Sequence, residues 1–273
     1  MKPSIITLPN GDKVSSIDIK TKRILTLFKI LLSIIAIVYV YTSKHWYDFP
    51  LYVINVYFVG KFLELFRKSR SGILEEDILY SNFFFVFDAG FKLQTTLDYV
   101  SILYGKKIPL ECKIFQRESG CPAHLGMIRK QNVTEDVFYI GLEYSLLCNN
   151  FIEENGYIIT HEYTHFTHKD HTKMDTLFTL MLYFCPLNPI VFLPISLIFY
   201  AYIQRRTEYA ADHVAAAVIG KEHAIRMLSK LKIAEDEQLD DLTKRQRVAR
   251  MLYLKLIGTH PPIKNRIKFI EGL

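Results

Sequence analysis

The stretch Thr160-His161-Glu162-Tyr163-Thr164-His165 holds the residue types that could do chemistry at a spacing that would let them act together. On a helix, His161 and His165 lie one turn apart on one face, so both imidazoles reach a single metal ion and Glu162 joins them on that side. A catalytic zinc takes three protein ligands and keeps its fourth position for water, lowering the water pKa to about 7 while a neighbouring carboxylate takes the proton. The stretch supplies two ligands and the carboxylate. It therefore points to metal-assisted hydrolysis with one Zn2+ per chain, and it requires a third ligand from elsewhere.

The first element to be positioned is the helix that carries this stretch. Ile152, Tyr157, Ile158 and Ile159 precede the histidines, Phe166 follows them, and no Pro or Gly falls between Tyr157 and Asp170. This predicts a mostly buried helix. A buried His or Glu without a partner is costly, and a metal is a common partner; ordinary hydrogen bonds in a core are the bland alternative. The second element is the segment Arg205–His213, where Glu208 and Asp212 stand four residues apart beside Ala211 and Ala215. Glu208 fits as the third ligand, and Asp212 fits as the acceptor that orients a ligating imidazole. Taken alone, such an acidic pair reads as a solvated face. A rival ligand is His171, because His161, His165 and His171 have the metzincin spacing. There His168 replaces the turn-making glycine, which opposes the sharp bend that pattern needs. His168 and His171 otherwise read as exposed residues at the helix end, where the dipole favours positive charge.

Composition bounds the setting. The chain has 273 residues, half of them hydrophobic, with 19 Phe, 17 Tyr and one Trp, too apolar for a disordered chain and leaning toward a membrane. A net charge of +6 suits an anionic leaflet. The basic residues are scattered and no binding motif accompanies them, so nucleic acid is not an expected partner. Cys112, Cys121, Cys148 and Cys185 have no paired spacing, which argues for reduced, buried thiols. Nothing in the sequence sets an oligomeric state.

Along the chain, residues 1–23 are polar and basic, with a turn at Pro9-Asn10-Gly11-Asp12 and no expected chemistry. Residues 24–66 are expected to form a transmembrane helical hairpin. Ile24–Ser43 is apolar apart from Lys29, and Phe49–Phe66 is apolar until Lys61 and Glu64. Lys20, Lys22 and Arg23 before the hairpin and Arg67, Lys68 and Arg70 after it place both ends in the cytoplasm, so the chain is expected to be a multi-pass membrane protein with its catalytic domain on that side. Residues 67–273 would form that domain. Within it, residues 88–104 read as an amphipathic helix stopped by Gly105, and Ile108–Phe115, Leu125–Arg129 and Asp136–Leu142 read as short strands. The segment 176–204 is uncharged and broken by Pro186, Pro189 and Pro194, which predicts a re-entrant or packed apolar hairpin that returns the next helix to the metal.

His161-Glu162-x-x-His165, Glu208-x-x-Ala211-Asp212 and His260-Pro261 followed by Arg266 together resemble the zinc endopeptidases of the HtpX heat-shock protease and type I CAAX prenyl protease group. The resemblance runs from about Asn155 to the end of the chain, and the amino-terminal hairpin is similar to that of HtpX. It implies an α+β, mainly α-helical zincin-type metalloprotease domain with a small β-sheet. It also implies His161, His165 and Glu208 as metal ligands, Glu162 as general base, Asp212 as the orienting acid, and His260, supported by Arg266, as the residue steadying the tetrahedral intermediate. Two departures stand out. Cys121-Pro122-Ala123-His124-Leu125-Gly126 lacks the Asn common in relatives, and Thr164 stands where a glycine is frequent.

The expected activity is therefore membrane-associated, zinc-dependent endopeptidase cleavage of membrane or misfolded proteins, with Glu162 activating water on the zinc. Its expected partners are a protein or peptide substrate and the lipid bilayer. The alternative is a non-enzymatic membrane adaptor, or an inactive relative that keeps a structural zinc.

Overall fold

A computed structural model describes residues 2–42, 53–61, 87–108, 111–115, 123–128, 137–143, 149–184, 189–240, 243, 245–246 and 260–273. Its helices are α1 (Ser16–Thr42), α2 (Phe87–Tyr104), α3 (Ile152–Thr167), α4 (Asp170–Phe184), α5 (Pro189–Ile219), α6 (Lys221–Asp240) and α7 (Ile263–Glu271). Residues 53–61 are also helical. The strands are β1 (Ile5–Thr7), β2 (Lys13–Ser15), β3 (Glu111–Phe115), β4 (Ala123–Ile128) and β5 (Val137–Glu143). The architecture is thus mainly helical with small sheets.

The amino-terminal segment is more than a polar tail. β1 and β2 pair antiparallel in the register Ile6↔Val14, closed by the turn expected at Pro9–Asp12, where Gly11 has φ +81°. The Leu8 N–H donates to the Asp12 carbonyl at 2.7 Å. α1 then begins at Ser16, well before the apolar run. The second sheet has the order β3-β5-β4, with β3 parallel and β4 antiparallel to β5. Its strands fall on the three segments expected from sequence, and β4, starting at Ala123, lies at an edge among the described strands.

Among the described residues, two apolar cores divide the helices. One joins α2, α3, α5, α6 and α7 through Val100, Tyr157, Ile159, Ala215, Met227, Leu228 and Ile270. Each fully buried large side chain there contributes about 1.5–3 kcal/mol by leaving water. The other joins α1, residue 59, α4 and the first half of α5 through Leu25, Leu32, Val59, Leu177, Met181 and Ile203, with Phe28 stacked on Phe199 at 3.7 Å. α5 belongs to both cores because it is a single helix of 31 residues, roughly 46 Å long. The sequence reading separates an apolar hairpin arm from a following helix with Glu208 and Asp212; the two are one helix. Pro189 sits at its first position, where the missing N–H costs nothing. Beyond Pro194 no Pro or Gly interrupts the chain until Gly220, whose φ of +107° ends the helix.

Among the described residues, no helix is long and apolar enough to cross a membrane. The transmembrane hairpin expected over residues 24–66 is therefore not found there, and residues 43–52 and 62–66 lie outside the described residues. α1 nevertheless turns Leu27, Ile30, Leu31, Ile34 and Val38 outward, and residues 53–61 do the same with Val53, Ile54, Tyr57 and Phe58.

Candidate metal centre

The helix bearing the histidines starts at Phe151, whose side chain has no acceptor to cap it. Glu154 takes over half of that task, accepting the Phe151 N–H at 2.9 Å. Gly156 lets neighbours come close: a Cβ there would meet the Tyr99 ring at 3.3 Å and Ile219 at 3.4 Å. α3 is thereby pressed between α2 and α5, and residues 154–161 are buried. α5 crosses it so that Glu208 and Asp212 face the two histidines.

The ligand atoms converge. His161 Nε2 and His165 Nε2 are 3.1 Å apart, Glu208 Oε2 is 3.4 Å from the first, and Glu208 Oε1 is 3.5 Å from the second. Ligand atoms around a tetrahedral zinc, each about 2.0–2.1 Å from it, stand about 3.3 Å from one another. The donor set is one nitrogen from each of two imidazoles plus a carboxylate, the combination zinc favours. Glu208 Oε2 is buried and accepts no hydrogen bond among the described residues, as suits an atom reserved for a metal.

The far side of each ring meets a carboxylate. His161 Nδ1 lies 3.0 Å from Asp212 Oδ1, and His165 Nδ1 lies 2.6 Å from Asp170 Oδ2. His165 Nδ1 is thereby given an acceptor, and Asp212 stands beside His161 Nδ1 as its charge partner, which leaves the Nε2 atoms facing one another and Glu208. Burial works against charge on these rings, yet Asp212 and Glu208 raise His161, and Asp170 and Glu208 hold His165 well above the ordinary histidine range. The carboxylates thus favour positive charge between the rings, whether a proton or a metal carries it.

Asp212 is itself fixed from two further elements. Arg266 of α7 forks onto it, Nε at 2.8 Å from Oδ2 and Nη2 at 2.6 Å from Oδ1, and the Tyr157 hydroxyl donates to Oδ1 at 2.6 Å. Burial pushes the Asp212 carboxyl up, but the Arg266 charge and these bonds pull it well below the usual carboxylate range. Arg266 Nη1 also lies 3.7 Å from Glu208 Oε2. Arg266 thus supports the acids on α5, whereas the resemblance implies support of His260. His260 is exposed, with Nδ1 3.1 Å from Glu208 Oε1. Glu162 is partly exposed on the turn shared with His161. His171 lies in α4; its side chain is outside the described residues.

Sequence reasoning passes over Tyr157 and Asp170. Tyr157 reads as a core aromatic, although its place four residues before His161 puts it on the same helix face. Asp170 is reached by a bend after the helix: Lys169 adopts φ 55°, the left-handed region that non-glycine residues enter at a cost of about 1 kcal/mol or more. The bend expected only of a glycine at position 168 is made one residue later, and it carries Asp170 back onto His165.

His168 differs from its expected place. It is fully buried, with neither ring nitrogen hydrogen-bonded among the described residues, because α1 and α4 meet over the end of α3. Burial pushes its pKa down to about 4, against smaller opposing effects from Asp18 and Asp170. The unfolded ring, with a pKa of about 6.5, takes up its proton first. His168 therefore contributes stability that is present above pH 6.5 and is lost as pH falls toward 4, about 3 kcal/mol at most. In chelator, His168→Phe is expected to flatten the loss of stability across that window, read by denaturant melts at several pH values; an unchanged slope would contradict it.

A family model described as Peptidase family M48 matches residues 123–273. Among solved structures, "Crystal Structure of S. mikatae Ste24p" is similar, with a TM-score of 0.47 and 14% identity over 89% of this chain and 67% of that one. No curated protein matches.

Proposed function

The chain belongs to peptidase family M48 and is a metallopeptidase, and from that premise we propose a membrane-associated, zinc-dependent endopeptidase of the HtpX-like type that cleaves membrane or misfolded proteins. The observation that carries this reading is the convergence of His161 Nε2, His165 Nε2 and Glu208 within 3.1–3.5 Å. Zinc, the usual metal of this family, would be held by these residues and would supply Lewis acidity toward water and a scissile carbonyl. The remaining work falls to the chain. Asp212 and Asp170 fix the imidazoles by their Nδ1 atoms, and Arg266 and Tyr157 keep Asp212 in place. Glu162, next to His161 and outside the ligand set, takes a proton from the attacking water and returns it to the leaving amine. His260, exposed and against Glu208, donates to the oxygen on which charge develops. The edge strand β4 offers backbone groups to an extended peptide.

Membrane association is supported by the outward apolar rows of α1 and residues 53–61, together with Ile195 and Ile198 of α5. We assign residues 24–66 to a membrane hairpin, 67–273 to the peptidase domain and 176–204 to its apolar hairpin. The apolar core shared by α1, residue 59, α4 and the first half of α5 packs the amino-terminal helices against the 176–204 segment, which supports grouping these apolar segments together. The basic residues flanking 24–66 favour a cytoplasmic catalytic side.

Detergent-purified protein is expected to carry one zinc and to cleave casein or itself. Chelation should bring cleavage to background and zinc should restore it. Protein that is fully zinc-loaded yet inert would decide for the non-enzymatic alternative.

A further inference from the structure

Four side-chain contacts tie the first twenty-one residues to the helices of the candidate site. The Tyr163 hydroxyl donates to Asp12 Oδ1 at 2.9 Å, Ser15 Oγ lies 2.9 Å from His213 Nδ1, and Arg206 Nε donates to Thr21 Oγ1 at 3.0 Å. In the fourth, the Lys173 ammonium bonds both Asp18 Oδ1 on α1 and Asp170 Oδ1 on α4. Asp170 uses its other oxygen on His165 Nδ1, at 2.6 Å. The first three contacts are explained by packing; the fourth ends on a candidate ligand.

We infer that Asp170 is a positioning residue for His165, and that Asp18, acting through Lys173, fixes Asp170, so that the first turn of α1 forms part of the metal-site scaffold. This rests on the ligand set proposed above. All members of the chain are withdrawn from water, the side chains of Asp18, Lys173 and Asp170 being 0%, 5% and 10% exposed. In such surroundings a carboxylate turns toward whichever charge is nearest, so the orientation of Asp170 depends on where Lys173 sits. Lys173 alone has a flexible stem; Asp18 supplies the second anchor. Lys22, 2.9 Å from Asp18 Oδ2, balances the far end. Asp18, His168 and Asp170 also lie close enough together to suggest a second cation site, but the Lys173 ammonium already bonds both carboxylates and acts as its built-in cation.

The test is the zinc affinity of the full-length protein in detergent, measured by chelator competition, with the melting temperature in excess chelator as the structural control. Asp170→Asn should weaken zinc binding about 10–100-fold, the range for partners of metal-bound histidines. Asp18→Asn should weaken it about 3–10-fold and add nothing in the Asp170→Asn background, since both act along one path. Thr21→Val, which removes the Arg206 contact, should leave zinc affinity unchanged. Lys173→Met gives a second entry to the same question and should behave as Asp18→Asn. Unchanged zinc affinity in Asp18→Asn with a lowered melting temperature would reduce the contact to a strut and overturn the inference, as would full additivity with Asp170→Asn. Either result leaves the peptidase reading intact; that reading fails separately if wild-type protein binds no zinc or if Glu208→Ala binds it normally.

Discussion

Glu162→Gln is expected to keep its zinc and to lose cleavage by about 10²–10⁴-fold, the usual contribution of a positioned general base. The amide has the size of the carboxylate and no basic oxygen, so helix α3 and the ligand geometry stay while proton transfer stops. Three features make the separation clean. Glu162 is not among the converging ligand atoms, it is partly exposed whereas Glu208 is buried, and the residues that hold the rings, Asp212 and Asp170, lie on other helices. The loss should therefore fall on kcat, with KM for a peptide substrate little changed. Metal content and casein cleavage of the two purified proteins decide the matter; equal cleavage would remove Glu162 from the mechanism.

The parts of this site legible in the sequence share one property: their spacing is set by one helix. His161 and His165 follow the helical turn, as do Glu208 and Asp212, and the apolar residues around them fix which face is buried. Gly105 ends its helix, as expected, where the left-handed backbone is needed. The unread parts are fixed across the fold. Tyr157 meets Asp212 over 55 positions and Lys173 meets Asp18 over 155, and no local pattern carries such information. Asp170 is nearer, but its role depends on the left-handed turn at Lys169, where sequence reasoning expects no turn. The contacts of residues 1–23, read from sequence only as a polar and basic segment, are unread for the same reason. A helix that starts at Ser16 and packs over the end of α3 gives Asp18 a partner, Lys173, that its local sequence does not announce. It also buries His168, which local spacing assigns to solvent.

Metal analysis of two alanine variants bears on the reading from the other side. Glu208→Ala should lose zinc by more than the 10–100-fold expected for an orienting partner, because it removes a donor and leaves two imidazoles to hold the ion. His171→Ala should retain the wild-type content. Glu208 also holds a charge balance in the site. Its carboxyl is pulled well below the usual range, against the effect of burial, by His260, His161 and His165. A carboxylate so held is stable only while positive charge stays near it, and the ion is the natural source of that charge. Removing it should also free His260, whose described partner is Glu208 Oε1 at 3.1 Å. Adding back a high zinc concentration should then restore occupancy in Glu208→Ala without restoring full cleavage, since a loosely held ion no longer fixes the carbonyl against Glu162. The opposite pattern, zinc lost in His171→Ala and kept in Glu208→Ala, would move the third ligand to α4 and leave Glu208 as an ordinary buried acid.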